Sequence, residues 1–286
     1  MLRRLVFPLV LAALIVPGAA LAASDSNVAA LQVRLRALKL YTGPVSGVQD
    51  DATITAVLAL QQRAGIAPDG VVGPQTRQVL GTWAQRTLGS RALGRGNVGW
   101  DVAALQFTLA WHGFPSGTFT GVYESHVQAA VRRFQEWAGL ASTGAADRAT
   151  IAAAQQPLPE LPMTLASPLA GAVTDAFGPR GDRFHTGLDI PAPTGTPVAA
   201  AAAGRVAYAG PLAGGWGITV TLAHGNGVRT MYAHLSAVSV KVGDVVTAGQ
   251  TVGLVGATGD ATGPHLHFEA RLRGAALDPS ATVGQL

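Results

Sequence analysis

The stretch "GPHLHFE", residues 263–269, places two histidines one residue apart in a chain that holds only seven. Successive side chains of a β-strand point to opposite faces, so His265 and His267 would project on one face and Leu266 and Phe268 on the other. Two imidazoles side by side indicate either a metal site or a buried polar cluster. The residues farther out along the chain have to distinguish these two interpretations.

The sequence around this stretch predicts a β domain. From residue 167 onward, glycines separate short runs that are rich in β-branched residues, such as "RVAYAG", "GITVTLAH", "GVRTMYAHL" and "TVGLVG". We therefore predict an all-β antiparallel domain over residues 167–286, with tight turns between its strands.

Two more segments of this domain carry histidine. "HTGLD" runs from His185 to Asp189, and Gly187 within it and Pro191 after it favour a loop or a strand over a helix. The other segment, "MYAHLS", ends a β run at His234. Each segment alone is weak evidence. A catalytic zinc, however, needs three protein ligands and an open position, and His185, Asp189 and one histidine of the opening pair supply such a set.

The whole β region resembles the lysostaphin and LytM family of zinc endopeptidases from Ser167 to Pro279. The segments that carry the resemblance are "FGPR", "HTGLDIPAPTGTPV", "AAAGRVAYAG", "GGWGITVTLAHGNGVRTMYAHLS" and "VKVGDVVTAGQTVGLVGATGDATGPHLHFEARLRG". The resemblance implies a zinc-dependent endopeptidase that acts on peptide stems or cross-bridges of peptidoglycan.

The same resemblance implies a role for each site residue. It implies that His185, Asp189 and His267 bind zinc and that His234 and His265 are the two catalytic histidines. Zinc in such a site activates a water molecule as the nucleophile, and free histidines beside it can transfer protons and stabilise the oxyanion. Some relatives lack ligands and only activate other wall hydrolases, so the alternative is a non-catalytic wall-binding regulator. Retention of all five residues favours the enzyme.

Glu269, the three remaining histidines and one glycine-rich loop are interpreted separately. Glu269 either orients a ligand imidazole or is an outward-facing strand carboxylate. We predict His224 in a hairpin turn, and His112 and His126 at surface or structural positions. The loop Gly214–Gly217 is a candidate for selecting the peptide bond that is cleaved.

The residues before the β region contain an internal repeat. "VAALQVRLRAL" from Val28 aligns with "VAALQFTLAW" from Val102, an offset of 74 residues. The same offset aligns glycines, glutamines and threonines without a gap over roughly fifty positions. We therefore predict two copies of one unit, in residues 24–86 and 87–155, each a small bundle of three helices.

Each copy resembles the peptidoglycan-binding domain that precedes many bacterial wall hydrolases. Copy one matches the pattern closely, including Asp69-Gly70 and Gly73-Pro74. Copy two departs from the pattern, because Thr143 replaces the aspartate and Asp147 replaces the later glycine. The alternative for both copies is a helical spacer that binds no ligand.

Two short segments complete the predicted organisation. Four prolines in and around residues 156–166 predict an extended linker. Residues 1–23 have Arg3 and Arg4 before an apolar run and an A-x-A site at Ala20–Ala22, which favours a cleaved signal peptide over a membrane anchor because the run is shorter than about 20 residues. We therefore expect an exported protein without stable membrane insertion after cleavage.

Composition and charge limit the possible partners. The chain has no cysteine, so disulfides and a cysteine lipid anchor are excluded. The formal charge of +4 falls to +2 without Arg3 and Arg4, and charged residues make up 13% of the chain. This charge is too weak to indicate nucleic acid binding. The predicted partner is peptidoglycan.

Overall fold

The computed structural model describes residues 24–281 and residue 283, and the predicted signal peptide of residues 1–23 lies outside this part of the chain. The described chain contains six α-helices followed by an antiparallel β domain, which confirms the predicted fold class. No helix within this part of the chain is long and apolar enough to cross a membrane.

The two sequence repeats form two similar helical units. In each unit, two helices of 12 or 13 residues are followed by a third of 7 residues. The helices are α1 (Ser26–Ala37), α2 (Asp51–Arg63), α3 (Pro74–Leu80), α4 (Trp100–Trp111), α5 (Ser125–Trp137) and α6 (Arg148–Ala154).

A buried glutamine holds the second half of each unit together. Gln61 donates from Nε2 to Val71 O (3.0 Å) and accepts from Gly70 N (2.9 Å). Gln135 makes the equivalent bonds to Ala145 O (2.9 Å) and Gly144 N (2.8 Å). Because a buried amide without partners is costly, these bonds explain why the glutamine-glycine spacing recurs in both copies.

The two departures of copy two from the repeat pattern have structural roles. Gln61 Nε2 donates to Asp69 Oδ1 (2.6 Å), and Gln135 Nε2 donates to Thr143 Oγ1 (3.2 Å), so the threonine replaces the aspartate as acceptor. Asp147 caps α6, because its Oδ1 accepts from Thr150 N (2.8 Å). Both replacements preserve the fold of the unit.

The β domain is built on one large sheet. Its strand order is β12-β11-β7-β6-β5-β9, with β3 also paired to β11, and β4-β10-β8 and β1-β2 form two smaller sheets. The strands are β1 (Gly178–Arg180), β2 (Arg183–His185), β3 (Leu188–Pro191), β4 (Pro197–Ala199), β5 (Gly204–Leu212), β6 (Gly217–Ala223), β7 (Val228–Leu235), β8 (Ala237–Val238), β9 (Val245–Val246), β10 (Thr251–Leu254), β11 (His265–Leu272) and β12 (Ala275–Leu277).

The core of the β domain extends into the segment that we predicted as a linker. Aliphatic side chains of β5, β6, β10 and β11 pack with Tyr232 and Phe268. Leu165 is only 1% exposed within this core, and Leu161 and Met163 pack against it. Part of residues 156–166 is thus attached to the β domain, and it does not extend freely through solvent.

Candidate active site

Strand β11 brings the opening pair of histidines to one face of the large sheet, as strand alternation predicted. His265 lies opposite Pro191 of β3, and His267 lies opposite Asp189. Asp189 Oδ1 is 2.8 Å from His267 Nδ1 and 3.7 Å from His265 Nε2. The aspartate of "HTGLD" and both histidines of "HLH" therefore meet at one place.

His185 completes a triangle of ligand atoms. It ends β2, and its Nε2 lies 3.1 Å from Asp189 Oδ1 and 3.0 Å from His267 Nδ1. His185 is 2% exposed and His267 is 4% exposed. We call His185, Asp189 and His267 the metal triangle. In the described part of the chain it is the one group of three or more such side chains whose geometry would hold a metal ion.

The hydrogen bonds of the two imidazoles point their lone pairs into the triangle. His185 Nδ1 faces Ala176 O at 3.0 Å, and a carbonyl oxygen only accepts, so Nδ1 carries the hydrogen and Nε2 the lone pair. His267 Nε2 faces the Glu269 carboxylate at 3.2 Å, which leaves the lone pair on Nδ1. Two imidazole lone pairs and a carboxylate oxygen converge, and such a set of acceptors favours a cation.

The acid–base properties of the triangle agree with this tendency. Burial raises the pKa of Asp189, but the adjacent imidazoles of His185 and His267 outweigh burial and hold that pKa far below its ordinary value. Burial lowers the pKa of His267, but the adjacent carboxylates of Asp189 and Glu269 more than reverse this, so its pKa is raised. The same negative surroundings attract a metal cation.

Glu269 is buried behind the triangle, which decides between the two interpretations of this residue. It is 0% exposed, and its carboxylate accepts from Thr186 Oγ1 and from Arg271 Nε, the latter at 2.5 Å. Burial raises the pKa of Glu269, but the bond to His267 and the charge of Arg271 outweigh burial and lower it to about 2. Glu269 is therefore a carboxylate that orients His267 and is not an outward-facing strand residue.

Arg271 and Thr186 were not identified from the sequence. Arg271 continues the period-2 series of His265, His267 and Glu269 along β11, and extending the alternation by two residues would have found it. Thr186 lies inside the "HTGLD" segment and gives no signal of its own in the sequence.

His234 lies beside the triangle in an unusual backbone conformation. The pairing of β6 with β7 shifts between Ile218 and Val220, and His234 has a φ of 61° in this irregular part of β7. A left-handed backbone at a non-glycine residue is uncommon and clusters at functional sites. The bulge directs the imidazole toward His265, with the two ring centroids 4.8 Å apart.

Backbone carbonyls fix the tautomers of these two histidines as well. His234 Nδ1 donates to Thr258 O (2.8 Å), and His265 Nδ1 donates to Gly263 O (2.9 Å), so Nε2 carries the lone pair in both neutral rings. Burial lowers the pKa of His234, and the bond to Thr258 offsets this only in part. We call His234 and His265 the histidine pair.

The metal triangle and the histidine pair line one cleft of about 390 Å³. Trp216 packs against His267 with ring centroids 5.1 Å apart. Arg183 from β2, and Gly214 and Asp260 from two loops, also line the cleft. The predicted specificity loop therefore borders the site, together with charged groups that the sequence did not indicate.

The remaining histidines lie outside the cleft. His224 is followed by a short 3-10 turn, Gly225–Gly227, and bonds to Ala203 O and Thr230 Oγ1. His112 is buried against two backbone carbonyls. His126 is an exposed side chain 3.6 Å from Glu124. All three occupy the turn, structural or surface positions that were predicted.

The residues of the triangle fit a zinc ion. Zinc in proteins takes imidazole nitrogen and carboxylate oxygen, and three protein ligands leave an open position for substrate or water. Ligand atoms about 2.1 Å from a tetrahedral zinc lie about 3.4 Å apart, so the triangle would open by only a few tenths of an ångström. A metal site of this composition with free histidines beside it, in a cleft, defines the class of metal-dependent hydrolases.

Comparison with known families agrees with this class. Residues 183–279, which make up most of the β domain, match the model of peptidase family M23. Residues 24–80 and 99–154 match the PG_binding_1 model, which describes a peptidoglycan binding domain. The two helical units thus coincide with the two matched segments.

Two curated proteins show the extent of the similarity. The DD-carboxypeptidase/endopeptidase Mpg of Neisseria meningitidis serogroup B is 52% identical over 97 residues, which are 34% of this chain and 22% of that protein. The cell division protein DipM of Caulobacter vibrioides is 42% identical over 117 residues, which are 41% of this chain and 19% of that protein. The chain therefore spans about a fifth of the length of these relatives.

A solved structure is also similar to the β domain. The catalytic domain of the antimicrobial peptidase lysostaphin from Staphylococcus simulans is 36% identical to this chain. The match covers 41% of this chain and 86% of that domain, with a TM-score of 0.33.

Proposed function

We propose that this protein is an exported, zinc-dependent endopeptidase that cleaves peptide bonds in the stems or cross-links of peptidoglycan. The observation that carries the proposal is the convergence of His185 Nε2, Asp189 Oδ1 and His267 Nδ1 beside two histidines whose Nε2 atoms make no hydrogen bond within the described residues. The match of the β domain to peptidase family M23 supports the same reaction class.

The three residues of the metal triangle are proposed to hold the zinc ion. A zinc ion in that position supplies a Lewis acid for the scissile carbonyl and an activated water as nucleophile. His185 and His267 keep the tautomers that ligation requires, because Ala176 O and Glu269 fix their other ring nitrogens.

The histidine pair is proposed to carry the proton transfers. With Nδ1 donating to a backbone carbonyl, Nε2 of His234 or of His265 accepts a proton from the nucleophile. The resulting imidazolium donates a hydrogen bond to the developing oxyanion or a proton to the leaving amine. Burial lowers the pKa of His234, which favours the neutral, basic form of this residue.

The two helical units are proposed to bind peptidoglycan. Their match to a peptidoglycan binding domain supports this partner, and the preserved glutamine bonds of copy two support a folded second unit. Binding through these units would raise the concentration of the peptidase domain on its substrate without a new contact at the zinc.

Digestion of purified peptidoglycan tests the proposal. The full mature chain, loaded with zinc, should release fragments that mass spectrometry identifies as peptides cut within a stem or cross-link. A chelator should abolish the cleavage, and added zinc should restore it. A protein that binds zinc and wall but releases no fragments, and that stimulates a second hydrolase, would instead be the non-catalytic regulator.

A further inference from the structure

The hairpin of β1 and β2, residues 178–185, carries one ligand of the metal triangle but belongs to no larger sheet. Its strands pair only with each other, Gly178 opposite His185 and Arg180 opposite Arg183, within the chain that the structure describes. An isolated two-stranded hairpin is marginally stable in water. The position of His185 must therefore depend on what the hairpin packs against.

The apolar side chains of the hairpin and of Phe177 just before it pack against the helical units, and they are not part of the apolar core of the β domain. Phe177 and Phe184 join the hydrophobic core of the helices, where both contact Trp111 at the end of α4. The ring centroids of Phe184 and Trp111 are 5.1 Å apart, and those of Phe177 and Phe184 are 5.0 Å apart, all in edge-on geometry. Such aromatic pairs add specific geometry to the burial of apolar area.

The tip of the hairpin is held by the same position of both repeats. Val45 N donates to Gly181 O (2.7 Å), and Phe119 N donates to Asp182 O (2.8 Å). Val45 and Phe119 are equivalent residues, separated by the repeat offset of 74. One loop of each copy thus binds one of two successive carbonyls. Helical units that acted only as spacers would not require equivalent loops of both copies to bind the same hairpin.

We propose that the two helical units together form the support of the catalytic cleft: Trp111, Val45 and Phe119 are positioning residues that fix the hairpin and, through it, the metal ligand His185. The proposal rests on the zinc site proposed above. In this proposal the repeats stabilise the active site of the peptidase domain in addition to binding the wall. Substitutions at the interface between the helical units and the hairpin should therefore lower zinc affinity.

Variants of Trp111 in the full mature chain test the proposal. Trp111→Ala should weaken zinc binding about tenfold or more in competition with a fluorescent chelator, the scale seen when the support of a metal ligand is removed. It should also accelerate amide hydrogen exchange in residues 178–185. Trp111→Phe keeps an aromatic ring against Phe184 and should restore most of both properties.

Phe134→Leu is the matched control, because Phe134 is buried in the second unit and contacts Phe114 and Trp137, not the hairpin. It should lower the stability of that unit and leave zinc affinity unchanged. If Trp111→Ala does not fold, Phe184→Leu removes the same ring contact from the other side and should give the same two changes at smaller size.

Two outcomes would overturn the proposal. One is a folded Trp111→Ala or Phe184→Leu protein with the zinc affinity and hairpin exchange of the parent chain. The other is an equal loss of zinc in Phe134→Leu, which would indicate general destabilisation. Neither zinc affinity nor hydrogen exchange depends on peptidase activity. If the parent chain does not cleave peptidoglycan, the proposed function is contradicted, but the two measurements still test the support of the hairpin by the helical units.

Discussion

Within one cleft, the metal triangle and the histidine pair are held in different ways. In the triangle, His185 and His267 are nearly inaccessible, and each has one ring nitrogen fixed by a protein acceptor and the other directed at Asp189. In the pair, one ring nitrogen is fixed by a carbonyl, and Nε2 makes no hydrogen bond to any residue that the structure describes. Identical side chains thus acquire different roles from the groups that hold their second ring nitrogen.

Removal of a triangle residue should have the largest effect. Asp189→Ala and His185→Ala should each lose both zinc and activity, because a site with two ligands holds the ion poorly. Metal analysis of dialysed protein beside a cleavage assay measures both. Asp260→Ala is the control, since it removes a carboxylate of the same cleft that lies outside the triangle. Asp260→Ala should retain zinc. If it loses as much zinc as Asp189→Ala, then Asp189 is not distinguished from other carboxylates of the cleft as a metal ligand.

Removal of His234 should affect rate and not metal content. His234→Ala should keep most of the zinc and reduce turnover on the order of 100-fold, the usual scale for a positioned acid or base. The same assays apply, with His126→Ala as a control because that histidine is exposed on the second helical unit. Full activity in His234→Ala would remove it from the proposed mechanism.

Glu269 should act on the triangle and not on the pair. Glu269→Gln replaces the carboxylate that accepts from His267, so we expect zinc affinity to fall about 10- to 100-fold, while turnover at saturating zinc falls less. Chelator competition measures the first quantity and the cleavage rate in excess zinc the second. The exposed Glu136→Gln should change neither. Unchanged zinc affinity in Glu269→Gln would show that His267 needs no such support.

Thr258 should act on the pair and not on the triangle, with the smallest effect. Its Oγ1 accepts from Ile218 N (2.9 Å) and donates to Leu235 O (2.8 Å), which fixes the loop whose carbonyl orients His234. Thr258→Val should lower turnover several-fold and leave zinc affinity unchanged, because a lost hydrogen bond of this kind is worth about 1 kcal/mol. A change in zinc affinity larger than that in turnover would contradict the assignment.

The local pattern of the sequence was enough to predict the fold class and to suggest the site. Alternation in "HLHFE" correctly predicts that His265 and His267 share a face, since strand geometry depends only on neighbouring residues. The ungapped offset between Val28 and Val102 predicts two similar helical units, since the same buried glutamine bonds recur in both. Assignment of ligands within the site came from family resemblance and stays a prediction.

Contacts between distant segments could not be predicted in this way. The residues near Phe184 do not indicate that it packs on Trp111. The sequence pattern assigns Phe184 to the β region, whereas Trp111 lies in a helix of the second repeat. Likewise, Leu165 in a proline-rich segment gives no sign of its burial in the β core. The role of Glu269 depended on whether its side chain is buried or faces solvent, and the sequence did not distinguish these two alternatives.

Zinc content measured beside turnover for His265→Ala and His267→Ala separates a metal ligand from a proton-transfer residue on one strand. These residues lie two positions apart on one face of β11, at 3.7 Å and 2.8 Å from the same oxygen of Asp189. We expect that His267→Ala loses zinc and activity, whereas His265→Ala retains about one zinc per chain and loses on the order of 100-fold in rate. Equal zinc loss in the two variants would show that both histidines bind the metal, and it would contradict the division between triangle and pair.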